Sequence, residues 1–289
     1  MNYVFNVIYR PSFFALFFSV YIPYLQSLPR CLPEQWIIIH GTFATDAQWH
    51  QKNSEEQKAL AKTLKKLKHT NFELHSFTWS GENNHKARLK AADELLIFLK
   101  RLPQPYHIIA HSHATTIVCI AAQKMIANPD FYIEELFSLG APIYAPWYPD
   151  AHKKIKTLYH LFSYGDMVQT VVTLFERTIF EKLPHVHNIQ LKINGSCPRH
   201  SDLHSPLVLE QLPYLQTLIK KQGPYCLEIE KTKAGTIIPK LIVELSREKD
   251  LEIDRNFRNQ LISLYGQNKS IKIKNNFQLS KMLSKEYLR

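Results

Sequence analysis

Short apolar runs alternate with longer amphipathic segments along most of this chain, from Trp36 onward. Each run has the length of a β-strand, and several are apolar throughout, as strands covered on both faces are. The segments between the runs carry apolar residues at helical spacing. This alternation predicts an α/β fold, in which a doubly wound, mostly parallel sheet of about six strands has helices on both faces. The predicted strands are 36–39, 72–79, 106–110, 136–139, 158–162 and 188–193.

Capping residues and prolines mark the ends of the predicted helices. Ser54 and Gln57 have the spacing of a capping box at the start of the first helix. In the last helix, Ser205 is the predicted N-cap, and Pro206 occupies the first helical position. The two helices between them are predicted over 86–102 and from just after Ser112 to about Asn128.

One of the predicted strands delivers a serine to a sharp turn. The run 106–110 leads through His111 to Ser112, and the residues that follow have the composition of a helix. A serine on such a turn is held clear of the sheet, and the next backbone N–H and the helix N-terminus can stabilise a developing oxyanion. Ala110 and Ala114 stand where the G-x-S-x-G pattern has glycine. The alternative interpretation is a buried serine at an ordinary strand-to-helix turn.

A nucleophilic serine needs an orienting acid and a base, and on this architecture they follow it along the chain at strand ends. Asp166 comes after the predicted strand 158–162, in a turn with Gly165. His200 and His204 lie in the loop after the predicted strand 188–193. The chain therefore supplies a serine, an aspartate and a histidine in the required order.

These motifs resemble those of the α/β-hydrolase superfamily, in particular its lipase- and esterase-like members with a short cap. The resemblance covers about residues 35–222. It rests on His40-Gly41-Thr42-Phe43, His111-Ser112-His113, Gly165-Asp166 and the loop from His200 to His204.

The resemblance implies a role for each matching residue. Ser112 would be the nucleophile, Asp166 the acid and a histidine of the 200–204 loop the base. His200 is favoured because the superfamily's base usually lies soon after the last strand, and His204 is the alternative. The backbone N–H groups of Thr42 and His113 would form the oxyanion hole. Side chains next to a nucleophile on such a turn point away from it, so those of His111 and His113 would pack or form hydrogen bonds beside the turn. The reaction would require neither a metal nor an organic cofactor.

Two further polar residues follow a predicted strand end, on the face where the site is expected. Asn83 and Arg88 lie in and just after the segment Trp79-Ser80-Gly81-Glu82-Asn83-Asn84. They either order the loops of the active site or form a solvated turn and the start of a helix.

The predicted reaction is hydrolysis of a carboxylic ester, of a small molecule or of a lipid, through an acyl-enzyme. An amide or thioester hydrolase with the same triad is one alternative, and a non-catalytic binding module with a hydrolase-like fold is another. Apolar residues after two strand ends either line an acyl-chain pocket, form a lid or pack in the core. They are Tyr144, Trp147, Tyr148, Val171, Val172, Leu174 and Phe175.

The chain is basic, with a formal net charge of +11. This charge is compatible with an anionic partner such as a phospholipid surface, but the lysines spread over solvated helix faces favour a generic basic surface. No nucleic-acid-binding module is recognisable, so we expect no nucleic acid. The four cysteines lack the C-x-x-C spacing of zinc and thioredoxin-like sites, and Cys197 and Cys226 would pair only in an exported protein.

The sequence predicts three regions. Residues 1–34 contain an apolar segment, 13–22, that suits a signal peptide, a membrane anchor or a packed helix. Export or membrane association and a cytoplasmic location therefore both stay open. Residues 35–222 form the predicted hydrolase domain, and 223–289 form a basic C-terminal appendage in which 227–230 and 237–245 have the pattern of strands.

Overall fold

The computed structural model describes residues 32–67, 69, 71–143, 150–169, 179–180, 183–219, 225–232 and 237–243. Within these ranges a single sheet contains eight strands in the order β2-β1-β3-β4-β5-β6-β7-β8. Strands β1 to β7 run parallel, and β8 pairs antiparallel with β7. The strands are β1 (Glu34–Ile39), β2 (Phe72–Phe77), β3 (Tyr106–His111), β4 (Ile133–Leu139), β5 (Ile155–Phe162), β6 (Val186–Ile193), β7 (Tyr225–Lys231) and β8 (Ile237–Val243).

Helices cover both faces of the sheet, which confirms the predicted α/β class. The α-helices are α1 (Glu55–Lys66), α2 (His85–Leu99), α3 (Ala114–Lys124), α4 (Pro206–Leu209) and α5 (Leu212–Leu218). Side chains of β1 alternate between two hydrophobic cores, because successive residues of a strand point to opposite faces. Ile37 and Ile39 pack in the core with α2 and α3, whereas Trp36 and Ile38 pack in the core with α1, α4 and α5.

The helix starts agree with the predicted capping only in part. The side chain of Ser54 accepts a hydrogen bond from the backbone N–H of Gln57, but the Gln57 side chain accepts from Asn53 rather than from Ser54. Ser205 precedes α4 without a side-chain cap bond. The predicted last helix is divided in two, because Pro213 in the first turn of α5 has no N–H to continue the preceding helix.

The sheet is wider than the predicted six strands, because two strands after Gly223 extend it. β7 pairs with β6 over residues 225–229, and Leu227 and Ile229 are fully buried in the core of the α1 face. The apolar alternation in this segment therefore completes the main core. Residues 244–289 of the predicted appendage lie outside the described residues.

The chain divides into two compact units, Met1–Leu32 and Pro33–Arg289. The predicted apolar segment 13–22 and Cys31 lie outside the described residues. No helix in the described ranges is both long and apolar enough to span a bilayer. Cys197 is exposed and Cys226 is buried, and the two do not form the disulfide considered from the sequence.

Candidate active site

Ser112 lies at a strained turn between β3 and α3. Its φ of 55° is in the left-handed region, which is costly for a residue with a Cβ. The turn is held by two backbone bonds: Ser112 N–H donates to the carbonyl of Leu139 on β4 (2.8 Å), and the Ser112 carbonyl accepts from Thr115 N–H (3.1 Å). This is the geometry that the sequence predicted for Ser112.

Small residues let the first loop approach this turn closely. A Cβ added to Gly41 would lie 2.9 Å from the Ser112 Cβ and 3.1 Å from the His111 carbonyl oxygen. Ala110 and Ala114, at the positions of the flanking glycines, are fully buried. The loop after β1 therefore reaches Ser112 only because position 41 has no side chain.

The structure brings Asp166 and His200 together at the carboxyl end of the sheet. His200 Nδ1 lies 2.7 Å from Asp166 Oδ2, and Asp166 is fully buried. The other carboxylate oxygen, Oδ1, accepts a hydrogen bond from the backbone N–H of Gln169 (2.9 Å). A buried carboxylate with one oxygen held by the backbone can use its second oxygen to fix the orientation of an imidazole ring.

A glycine at the end of β4 makes room for this pair. Gly140 has a φ of +57°, and a Cβ there would lie 2.9 Å from Asp166 Oδ2 and 3.2 Å from His200 Nδ1. The preceding residue, Leu139, accepts the N–H of Ser112. Gly140 therefore connects the serine turn to the aspartate and histidine through adjacent strand ends.

The loop that carries His200 is held against the turn that carries Asp166. Ser163 Oγ donates to the carbonyl of Pro198 (2.6 Å) and accepts from Gly165 N–H (3.1 Å). A Cβ on Gly165 would lie 2.5 Å from the Cys197 carbonyl oxygen. The Gly-Asp turn thus packs backbone to backbone against the histidine loop.

His204, the alternative base, contacts other residues than His200 does. Its ring stacks on Trp49 with centroids 4.3 Å apart and meets His111 edge-on at 4.6 Å. Burial and the nearby His200 lower the pKa of His204 to about 4. His200 is the histidine that lies within hydrogen-bond distance of Asp166, whereas His204 packs on Trp49.

His111 supports the backbone of His200. Its Nε2 lies 3.2 Å from the His200 carbonyl oxygen, and the two rings are 4.4 Å apart. Burial, followed by the charges of His200 and His204, holds the pKa of His111 well below its usual value. His111 therefore stays neutral beside His200.

Thr42 and His113, the predicted oxyanion residues, are in contact through their side chains. Thr42 Oγ1 lies 2.9 Å from His113 Nδ1. Burial lowers the pKa of His113 to about 3, with further contributions from Arg88 and His200. The imidazole of His113 is thus neutral at neutral pH.

Hydrogen bonds fix the tautomer of His40, which precedes this loop. Trp79 N–H donates to His40 Nε2 (3.1 Å), so the ring proton is on Nδ1 and is donated to the carbonyl of Gly41 (2.8 Å). Because the C=O and N–H of a trans peptide point in opposite directions, this bond also fixes the direction of the Thr42 N–H.

Asn83 and Arg88 contact each other at the start of α2. Arg88 Nη1 donates to Asn83 Oδ1 (3.2 Å), and the Arg88 side chain is almost entirely buried. The positive charge of Arg88 also contributes to the lowered pKa of His113.

The side chain of Ser112 makes no hydrogen bond within the described residues, so the structure brings His200 to Asp166 without a bond from His200 to the serine. Hydrogen bonds between catalytic groups are in general often long in a free enzyme and tighten in the substrate complex. No three His, Cys, Asp or Glu side chains in the described ranges are arranged to hold a metal ion.

The sequence did not single out Trp49, His50, Gly140 or Gln169. Trp49 and His50 belong to a short 3-10 helix (Gln48–His50) without strand or helix periodicity. Gly140 had a recognisable signal, since it directly follows a predicted strand next to the serine-bearing one. The predicted pocket residues Tyr144, Trp147, Tyr148, Val171, Val172, Leu174 and Phe175 lie outside the described residues.

Comparison with known proteins gives a limited result. No family model and no curated protein matches the chain. Among solved structures, an alpha-beta serine hydrolase homologue from Coxiella burnetii is similar, with 14% sequence identity and a TM-score of 0.44. The match covers 66% of this chain and 88% of that one.

Proposed function

We propose that this protein is a serine hydrolase of the α/β-hydrolase type that cleaves a carboxylic ester through Ser112, His200 and Asp166. The observation that carries the proposal is the 2.7 Å contact between the buried Asp166 carboxylate and His200, at the strand ends that neighbour the strained Ser112 turn. A non-catalytic scaffold has no need of these residues in this arrangement.

In the proposed reaction Ser112 Oγ attacks the ester carbonyl while His200 Nε2 takes its proton. Asp166 accepts the Nδ1–H bond and stabilises the imidazolium. The tetrahedral intermediate then collapses, the carbon–oxygen bond to the alcohol breaks, and the alcohol leaves with the proton from Nε2. Water, deprotonated by His200, then attacks the acyl-serine carbonyl, the bond between the acyl carbon and Ser112 Oγ breaks, His200 returns the proton to Oγ, and the free acid is released.

The negative oxygen of the tetrahedral intermediate would accept hydrogen bonds from the backbone N–H groups of Thr42 and His113. One such donor is worth about 3–4 kcal/mol of barrier reduction in serine hydrolases. The bond from His40 Nδ1 to the Gly41 carbonyl supports this role, because it fixes the peptide that carries the Thr42 donor.

Exposed apolar side chains next to the proposed site favour a lipid ester as the substrate. Phe43 directly follows Thr42 and is 63% exposed, and Met167 and Val168 directly follow Asp166 and are 36% and 41% exposed. Such side chains offer an acyl chain apolar surface at the entrance to the site. A series of p-nitrophenyl esters of increasing chain length tests this preference, and a matched amide and thioester test the other acyl substrates.

Labelling with a fluorophosphonate tests the proposed nucleophile. The wild type should be labelled and Ser112→Ala should not. Ser201→Ala is the matched control, since Ser201 is an exposed serine of the histidine loop, and it should be labelled like the wild type. An unlabelled wild type, or equal labelling of Ser112→Ala, would contradict the proposal.

A further inference from the structure

We propose that the hydrogen bond between the side chains of Thr42 and His113 is a clamp that sets the distance between the two N–H donors of the oxyanion hole. This inference rests on the proposed function. It makes Thr42 and His113 positioning residues through their side chains, in addition to the role proposed for their backbones.

The two donors come from distant parts of the chain. Thr42 lies in the loop after β1, and His113 is the N-cap residue of α3, 71 positions further along. A tetrahedral intermediate needs both N–H groups within hydrogen-bond reach of one oxygen atom. The 2.9 Å contact between Thr42 Oγ1 and His113 Nδ1 joins the two residues directly, so the clamp restrains the two donors relative to each other.

Each side of the clamp is also held to its own surroundings. On the Thr42 side, His40 holds the Gly41 carbonyl and Phe43 N–H donates to the Gly81 carbonyl (2.9 Å). On the other side, the carbonyl of His113 accepts Ile117 N–H in the first turn of α3 (3.3 Å). These bonds fix each segment, whereas the Thr42–His113 bond links one segment to the other.

The electrostatic surroundings keep the clamp uncharged. Burial, Arg88 and His200 lower the pKa of His113 to about 3. A neutral imidazole can share one hydrogen bond with the Thr42 hydroxyl at any pH at which His200 would act as a base. Asn83 holds the guanidinium of Arg88 that contributes to this effect.

Kinetics of Thr42 variants test the clamp, with p-nitrophenyl butyrate as the substrate. Thr42→Val keeps the backbone N–H and the side-chain shape but loses the hydroxyl. We expect kcat to fall by about 10- to 100-fold, because a small displacement of a catalytic group has an effect of this size, while KM changes little. Thr42→Ser restores the hydroxyl and should recover most of kcat.

A double-mutant cycle separates the clamp from two independent effects. His113→Leu removes the same bond from the other side, and the double variant Thr42→Val/His113→Leu should lose little more activity than either single variant. His113→Asn, which retains a polar group near the position of Nδ1, should lose less than His113→Leu. Inhibition by phenylboronic acid, which forms a tetrahedral adduct with the serine, should weaken in parallel with kcat/KM.

Thr45→Val is the matched control, because Thr45 lies in the same loop as Thr42. Its Oγ1 donates to the Ser80 carbonyl (3.1 Å) and does not touch the clamp. Its kcat should stay near the wild-type value. The clamp is wrong if Thr42→Val retains wild-type kcat, if the single losses add fully, or if Thr45→Val loses as much as Thr42→Val. A wild type without Ser112-dependent hydrolysis would instead contradict the proposed function itself.

Discussion

Gly140 lies directly against Asp166, so close that a Cβ on the glycine would come within 2.9 Å of Asp166 Oδ2. The same Cβ would lie 2.6 Å from Leu203 Cδ1. The backbone at Gly140 is also left-handed, with a φ of +57°. The approach of His200 to Asp166 therefore depends on a residue that belongs to neither loop.

We expect Gly140→Ala to remove most hydrolytic activity and to lower the free energy of unfolding by about 1–3 kcal/mol, because it introduces both a steric clash and a strained φ. Ester hydrolysis and urea unfolding measure the two effects. Gly195→Ala is the control: its φ is +75°, but the nearest atom to its Cβ would be 4.0 Å away. That variant should lose stability and keep its kcat. Equal activity of the two variants would contradict the role given to Gly140.

Asp166→Asn should lower kcat by about 10⁴-fold with little change in KM, since an amide no longer stabilises the imidazolium and favours the wrong histidine tautomer. Steady-state hydrolysis of a p-nitrophenyl ester measures this loss. Asp202→Asn changes a second carboxylate, which accepts Arg199 N–H in the histidine loop (2.9 Å). A comparable loss in Asp202→Asn would show that general damage to the loop, and not the Asp166–His200 bond, is responsible.

Replacement of each loop histidine by glutamine distinguishes the two candidate bases. His200→Gln should abolish hydrolysis and slow fluorophosphonate labelling, because the proposed base is lost. His204→Gln should keep kcat within about tenfold of the wild type, since it removes a ring stacked on Trp49. The opposite ranking of the two variants would assign the base to His204.

The stability of the protein should fall as the pH drops below about 6.5. Burial lowers the pKa of His50 to about 4, of His113 to about 3 and of His204 to about 4, all from 6.5. At pH values between 6.5 and the lowered pKa of each histidine, the unfolded chain binds a proton that the folded protein does not. Acidification in this range therefore favours unfolding by up to about 1.4 kcal/mol per pH unit for each histidine. Urea unfolding from pH 7 to pH 5 measures the slope, which should be smaller in His204→Gln. An unchanged slope in that variant would argue against a neutral, buried His204.

The sheet was predictable because short runs rich in apolar residues alternate with amphipathic segments, and Ser112, Asp166 and His200 were placed at strand ends by their position after those runs. Strand β2 was predicted two residues too long, up to Trp79, because the Trp79 backbone N–H is bonded to His40 rather than to a neighbouring strand. Local sequence carries no sign of such a bond.

The contacts between loops could not be predicted from the sequence for the same reason. Trp49 packs on His204, and Thr42 bonds His113, although each pair is far apart in the sequence. Hydrophobic periodicity locates elements but does not specify which side chains of two loops will meet. The last two strands of the sheet were partly predictable. Their sequence has the pattern of strands, but it does not indicate that they join the same sheet and core.

The strand order also bears on how the chain assembles as it is synthesised. From β3 to β8 each new strand lies beside its predecessor, so the ribosome delivers strands in the order in which one edge of the sheet accepts them. Ser112 emerges early in this sequence, whereas Asp166 and His200 follow only after β5 and β6. A nascent chain therefore carries its proposed nucleophile before its proposed acid and base, and we expect hydrolytic activity only after most of the domain has been made.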